Sequence, residues 1–195
     1  MRRILIMLAA LVLPIGADAA SSNIADLKPG RYVLDNKHSS LVARVKHLGA
    51  SNYTVRFDKL DGEFTYDPAH PEATNVEAGI DTTSLDVGAS YSQKFADQFL
   101  NATKFPKATF VSKTITPDPD GRTGTMTGDL TLDNVTLPVT LKVAFVGTSH
   151  GFPFGTVAGF SATGTFRRSD FGSRSLLSYV GDDISLEIEA EFDRK

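Results

Sequence analysis

The chain has 195 residues, a formal net charge of −3 and no cysteine. The missing thiol excludes a disulfide scaffold, a thiolate zinc site, an iron–sulfur cluster and a cysteine nucleophile. The mildly acidic balance argues against a nucleic-acid partner, because such binders carry a basic surplus.

The first segment is Met1-Arg2-Arg3, followed by a run without charge from Ile4 to Ile15 and then Ala17-Asp18-Ala19. A positive start, a short apolar run and a small-x-small site together predict a secretory signal peptide over residues 1–19, cut after Ala19. The run is too short to span a bilayer, which takes about 20 apolar residues. The expected destination is the periplasm, or the secreted space, of a bacterium. Residues 20–195 contain no repeat, low-complexity tract or charge block and are read as a single domain. The densest turn chemistry, Pro117-Asp118-Pro119-Asp120-Gly121, is a loop signal.

Beyond the leader the dominant period is two. Apolar residues alternate with polar ones in Leu41-Ala43-Val45-His47, Tyr53-Val55-Phe57, Phe64-Tyr66 and Val76-Ala78-Ile80. The next stretch differs. Phe95, Phe99 and Leu100 follow a helical spacing, which predicts one short amphipathic helix with Ser90 or Ser92 as its cap. Alternation then resumes in Ala108-Phe110-Ser112, in Val135-Leu137-Val139-Leu141-Val143-Phe145, in Ala158-Phe160-Ala162 and in Ile184-Leu186-Ile188-Ala190-Phe192. Side chains alternate across a strand, so these are half-buried strands with one wet face. Asp133-Asn134 between two of them suits a tight hairpin.

Seven or more closely spaced strands with one helix predict an all-β fold, a sandwich or a barrel. Short connections favour antiparallel pairing, and closure into a barrel removes exposed edges. A barrel of about eight strands either fills with side chains or holds one small ligand. Phe57, Phe64, Phe110, Phe145, Phe160, Phe166 and Phe192 fit either case. A membrane-spanning barrel would reverse the arrangement, apolar outside and polar inside, and the short apolar stretches do not suit it.

Candidate chemistry is sparse. Asp35, His38 and His47 are the polar residues nearest to a cluster, and two histidines with a carboxylate can ligate a divalent metal. Nine residues along a strand separate the two rings, so structural hydrogen bonding is the better account, and no metal is expected. No Gly-x-Ser-x-Gly elbow, phosphate loop or dinucleotide fingerprint occurs. Glu187, Glu189 and Glu191 read as a solvated strand face rather than a paired-carboxylate site.

Four motifs in order resemble the YceI family. The first is YVLDNKHSSLVARVKHLGASNYTVRFDKLDGEFTYDP, matching through Tyr32, Asp35, His38, Ser39, His47, Gly49, Phe57 and Gly62. The others are FADQFLNATKFPKATF, GDLTLDNVTLPVTLKV and the Arg168-Ser169-Asp170-Phe171-Gly172 turn. The resemblance implies a lipocalin-like, extended antiparallel β-barrel with a helix packed near it. It implies a non-enzymatic periplasmic carrier holding a long isoprenoid lipid, such as a polyprenol or a quinone tail. Leu41, Val45, Phe57, Phe110, Val143, Phe145 and Ile188 would then line the tube, with Phe95 and Phe99 at its mouth. No cofactor is implied beyond the bound lipid. Transient membrane contact stays open, as does pairing of two copies through an edge strand. Two other readings remain: an enzyme acting on a lipid through Asp35, His38 and His47 at the barrel mouth, and a ligand-free structural or stress-response barrel.

Overall fold

The computed structural model describes residues 20–151 and 155–195. The predicted signal peptide lies outside the described residues. Eleven strands follow in chain order: β1 (Gly30–Leu34), β2 (Ser40–His47), β3 (Ser51–Phe57), β4 (Leu60–Tyr66), β5 (Val76–Asp81), β6 (Leu85–Asp86), β7 (Lys107–Pro117), β8 (Thr123–Leu132), β9 (Val135–Gly151), β10 (Gly155–Arg167) and β11 (Val180–Arg194). A single α-helix, α1 (Ser92–Leu100), lies between β6 and β7 among the described residues.

Six of these segments are halves of three broken staves. Tyr32–Leu34 of β1 pair with Arg194–Phe192, and Ser40–Val45 of β2 pair with Glu189–Ile184, so β1 and β2 lie end to end along β11. On their far side β4 pairs with β1 and β3 with β2. Then β5 pairs with β4 and β6 with β3. The eleven segments therefore make eight antiparallel staves, which close because β1 pairs with both β4 and β11. The result is an up-and-down barrel in which neighbours in sequence are neighbours in space. Closure removes the free edge on which strand-to-strand pairing of two copies would rely.

The alternation decides which face is inside. Along β9, Val139, Leu141 and Phe145 are buried, whereas Thr136, Pro138, Thr140 and Lys142 are exposed. The outer face is polar and paired across strands. Thr131 and Thr136 hydroxyls lie 2.8 Å apart, Thr127 and Thr140 3.0 Å, and Arg44 pairs with Glu187. This is the inverse of a membrane-spanning barrel. The β8–β9 hairpin turns on Asp133 (φ 50°) and Asn134 (φ 60°), the left-handed pair that a two-residue turn between twisted strands needs.

One barrel end is filled. Tyr32 stacks on Phe64 with centroids 4.8 Å apart, and Phe64 meets Phe192 edge-on at 5.0 Å. Phe160 packs on Phe64 and on Phe145. The segment before β1 is drawn over this end: Ser21 and Thr148 exchange two backbone hydrogen bonds of 2.8 Å, and Leu27 is buried in the aromatic cluster. The Tyr32 hydroxyl, which would be costly to bury alone, donates to the Lys28 carbonyl at 2.7 Å.

The opposite end carries α1. Glu77–Asp81 of β5 pair with Val111–Lys107 of β7, but β6, the continuation of that stave, pairs with β3 alone among the described residues. The helix packs against β6 and covers the gap that this leaves. Ala96 is fully buried, packing with Leu85 and Ala102. The helix cap corrects the expectation. Tyr91 is the N-cap and makes no side-chain cap bond, while Ser92 is already helical and its hydroxyl donates to the Ala89 carbonyl. At the other end Asn101 adopts the left-handed conformation, φ 52°, and its N–H closes the last turn.

Candidate functional site: an apolar tube

The barrel encloses a cavity of about 700 Å³. That is within the range for small-molecule sites, about 300–1,000 Å³. From Phe192 in the plug to Val180 at the mouth, twelve residues of β11 at about 3.3 Å each and a tilt of about 40° give the barrel, plug included, a height of about 30 Å. The site is a tube rather than a bowl.

All nine residues singled out from the sequence face this cavity: Leu41, Val45, Phe57, Phe95, Phe99, Phe110, Val143, Phe145 and Ile188. The register brings them together. Leu41 stands between Phe57 and Ile188 on adjoining strands, and Val143 is opposite Ala162. Phe145 belongs to the filled end as well as to the tube wall. Phe95 and Phe99 meet edge-on at 5.6 Å on the inner side of α1.

What keeps the tube open is small residues. Ala43, Ala78 and Ala162 line the wall at mid-barrel. Gly128 lies beneath Phe110, where a Cβ would come 2.5 Å from the ring. Gly164 lies beneath Leu141 in the same way. Large side chains thus lie flat over glycines on the next strand instead of projecting across the lumen. Phe64, Phe160 and Phe192 pack on one another and form the cavity's closed end, while Phe57, Phe95, Phe99 and Phe110 line the rest of it.

The polar residues missed by sequence reasoning are at the helix end. Tyr53 and Tyr91 face the cavity there. Burial, and then hydrogen bonding with Tyr91, raise the Tyr53 phenol above its ordinary range, so it stays a neutral donor. Arg168 is 4% exposed and also reaches the wall. Its guanidinium donates to the main-chain carbonyls of Ser173, Val180 and Gly181 at 2.8–2.9 Å, and lies 5.5 Å from the centre of the Phe99 ring. Next to it Asp182 accepts from Ser169 N–H and Oγ and from Arg167, bonds that hold its carboxyl below the usual range. The Arg-Ser-Asp-Phe-Gly turn is therefore a clamp that fixes the β10–β11 connection over the tube mouth.

Asp35, His38 and His47 do not converge. His47 is at the mouth, 6.2 Å from the Tyr53 ring. His38 lies outside the barrel in the break between β1 and β2, with Nδ1 2.7 Å from Asp35 Oδ2 and 3.7 Å from Glu191 Oε1. One donor atom from each of Asp35, His38 and Glu191 lies within 4.8 Å of the others. The bond that Nδ1 already makes to Asp35 accounts for the grouping as a pin across the strand break.

That pin titrates. Asp35, first by its hydrogen bond and then by its charge, raises His38 above its ordinary 6.5. The Lys37 amide, then His38, hold Asp35 below its ordinary 3.8. The raised histidine adds stability fully below 6.5 and loses it as pH rises through the raised value. The lowered carboxyl adds stability above 3.8 and loses it as pH falls through the lowered value. Thermal melts from about pH 6 to about pH 8 should therefore show a falling Tm in the parent that is shallower in His38→Gln. Equal slopes would remove His38 from the linkage.

Residues 32–192 match the model of the YceI-like domain. The chain belongs to the YceI family. Protein YceI of Shigella flexneri is 36% identical over 175 residues, covering 89% of each chain. A UPF0312 protein of Shewanella denitrificans is 36% identical over 187 residues, 94% of this chain and 92% of its own. Among solved structures, the Campylobacter jejuni YceI protein superposes with a TM-score of 0.65 at 31% identity, over 77% of this chain and 90% of its own. A polyisoprenoid-binding domain from Saccharophagus degradans superposes at TM-score 0.60 with 14% identity, over 86% of this chain and all of its own, a likeness of fold. The barrel is thus the fold that this chain shares with the family.

Proposed function

We propose that this YceI-family barrel is a periplasmic or secreted carrier that holds one long isoprenoid lipid in its tube. The observation that carries this reading is an elongated cavity of about 700 Å³ inside the barrel, closed by aromatics at one end and walled almost wholly by apolar side chains. Apart from Tyr53, Tyr91 and Arg168 near the mouth, such a wall offers few hydrogen bonds to a polar ligand and disfavours one by desolvation. A hydrocarbon chain loses nothing there and gains about 0.8 kcal/mol per buried methylene. The branched methyls of an isoprenoid suit a lumen whose width varies between glycine and alanine positions. The name of the Saccharophagus degradans domain, which binds polyisoprenoid, supports the same ligand class.

The Asp35, His38 and His47 alternative loses its basis, because the three residues do not share a site. A ligand-free structural barrel is disfavoured by the open lumen. Solvent extraction of protein purified without detergent, followed by mass spectrometry, should yield an isoprenoid lipid near one per barrel. Extracts without lipid, from protein that also fails to take up a polyprenol in solution, would overturn the carrier reading.

A further inference from the structure

Among the described residues six large apolar side chains are strongly exposed, and five of them surround the tube mouth: Leu48 (59%), Tyr91, Leu176, Leu177 and Tyr179 (58%). They come from three segments that meet there. Leu48 N–H donates to the Tyr179 carbonyl at 2.7 Å, Gln98 of α1 donates to Ser175 Oγ at 2.9 Å, and Tyr53 Oη donates to the Val87 carbonyl. Tyr91, Leu176 and Tyr179 also line the cavity, so the rim and the lumen are one continuous apolar surface.

Two of these leucines are in a conformation that leucine resists. Leu48 has φ 54° and Leu176 φ 53°. Glycine or asparagine would sit there with less strain and no exposed hydrocarbon. Leu48 is 59% and Leu176 49% exposed, and neither belongs to a buried core cluster, so strained backbone here presents hydrocarbon at the mouth.

Charge selects the occupant. Residues 46–53, 87–95 and 173–181 contain Lys46, Lys94 and Arg174 and no carboxylate, and the acids that adjoin them are engaged within the fold, Asp86 by Gly88 N–H, Asp97 by Thr103 and Asp182 by Ser169 and Arg167. All three cations are exposed, and none forms an ion pair among the described residues. A second copy docked face to face would oppose these cations to themselves. An anionic lipid surface complements both the charge and the hydrocarbon.

We infer that the mouth rim is a docking surface for an anionic phospholipid bilayer, which aligns the tube with the membrane for lipid exchange. This rests on the carrier reading for its purpose, but binding can be measured apart from it. Protein purified without the leader, as residues 20–195, would be sedimented with vesicles of phosphatidylethanolamine and phosphatidylglycerol, and with vesicles of phosphatidylcholine alone. Lipid content of the same preparation would be read by extraction.

The expected result is binding to the phosphatidylglycerol vesicles that weakens with salt, and little to phosphatidylcholine. The double variant Leu48→Asn, Leu176→Asn should bind about tenfold more weakly, with its melting temperature kept or raised. Lys46→Glu, Lys94→Glu, Arg174→Glu together should lose about a hundredfold. Failure of the parent to bind, equal binding to both vesicle types, or folded variants that bind like the parent would overturn docking while leaving a loaded carrier intact. Rim variants that change the sedimenting mass of the free protein but not vesicle binding would make the rim a dimer contact instead, and would also overturn it. Vesicle binding by a barrel that carries no lipid would uphold docking and count against the carrier.

Discussion

Ala162→Phe should empty the barrel of lipid without unfolding it. Ala162 is on β10 with its methyl toward the lumen, between Val143 on one neighbour strand and Ile188 on the other. A phenyl ring there takes the space of about four or five chain methylenes, worth about 3–4 kcal/mol at about 0.8 kcal/mol each. That corresponds to a loss of affinity of about a few hundredfold. In a filled core the same enlargement would cost about 1–3 kcal/mol of stability. Beside a cavity of about 700 Å³ the ring has room, and the melting temperature of the lipid-free protein should hold.

Ala158→Phe supplies the internal control. Ala158 is on the same strand, fully buried in the aromatic plug opposite Phe192. The added ring has nowhere to go, so this variant should lose stability. If both variants destabilise alike, the lumen is not open space in solution. If folded Ala162→Phe retains its full lipid load, the ligand is not in the tube.

The contrast between these two alanines explains what the sequence could tell. The period-two pattern of β9 and β11 assigns an inside and an outside without any tertiary knowledge, because the pleat alone sends neighbours to opposite faces. Asp133-Asn134 fixes a hairpin because few other residues accept left-handed backbone at both positions. Whether the inside is full or hollow depends instead on which strands become neighbours. Phe110 lies over Gly128, 18 residues away in sequence, and Leu141 over Gly164. An alternating string of apolar residues is the same string in a plug and in a tube wall. The strand breaks were hidden for a related reason. Nothing local between Leu34 and Ser40 says that the segments on either side share one stave; only β11, which runs past both halves, makes them one. Arg168 gave only the signal of its motif; that its guanidinium is buried and bonded to backbone is a property of the folded connection.

Arg168→Met should be the most destabilising single change at the mouth. Among the described residues the guanidinium has no carboxylate within hydrogen-bond reach, and burial lowers its pKa from the ordinary value, so its charge is held by carbonyl oxygens. Methionine matches much of the stem's volume and replaces none of the donors. The carbonyls of Ser173, Val180 and Gly181 then lose their partners, each at about 1–3 kcal/mol if left dry. Water reaching the loop offsets part of this, leaving a net loss of about 3–5 kcal/mol, similar to breaking a buried charged network. At about 2–4 °C per kcal/mol for a domain of this size, the midpoint should fall by about 6–20 °C. Arg168→Lys should recover only a fraction, because one ammonium cannot reach three carbonyls that a planar fork serves at once. Since the partners are dipoles in a dry setting, added salt should leave the effect unchanged, unlike the exposed Lys113–Asp129 pair. Hydrogen exchange should locate the damage: amides of 173–181 lose protection first, while those around Tyr32 and Phe192 keep theirs. A variant that melts with the parent would mean that the clamp is not what holds the mouth, and the rim would then have to be ordered by its own packing on α1.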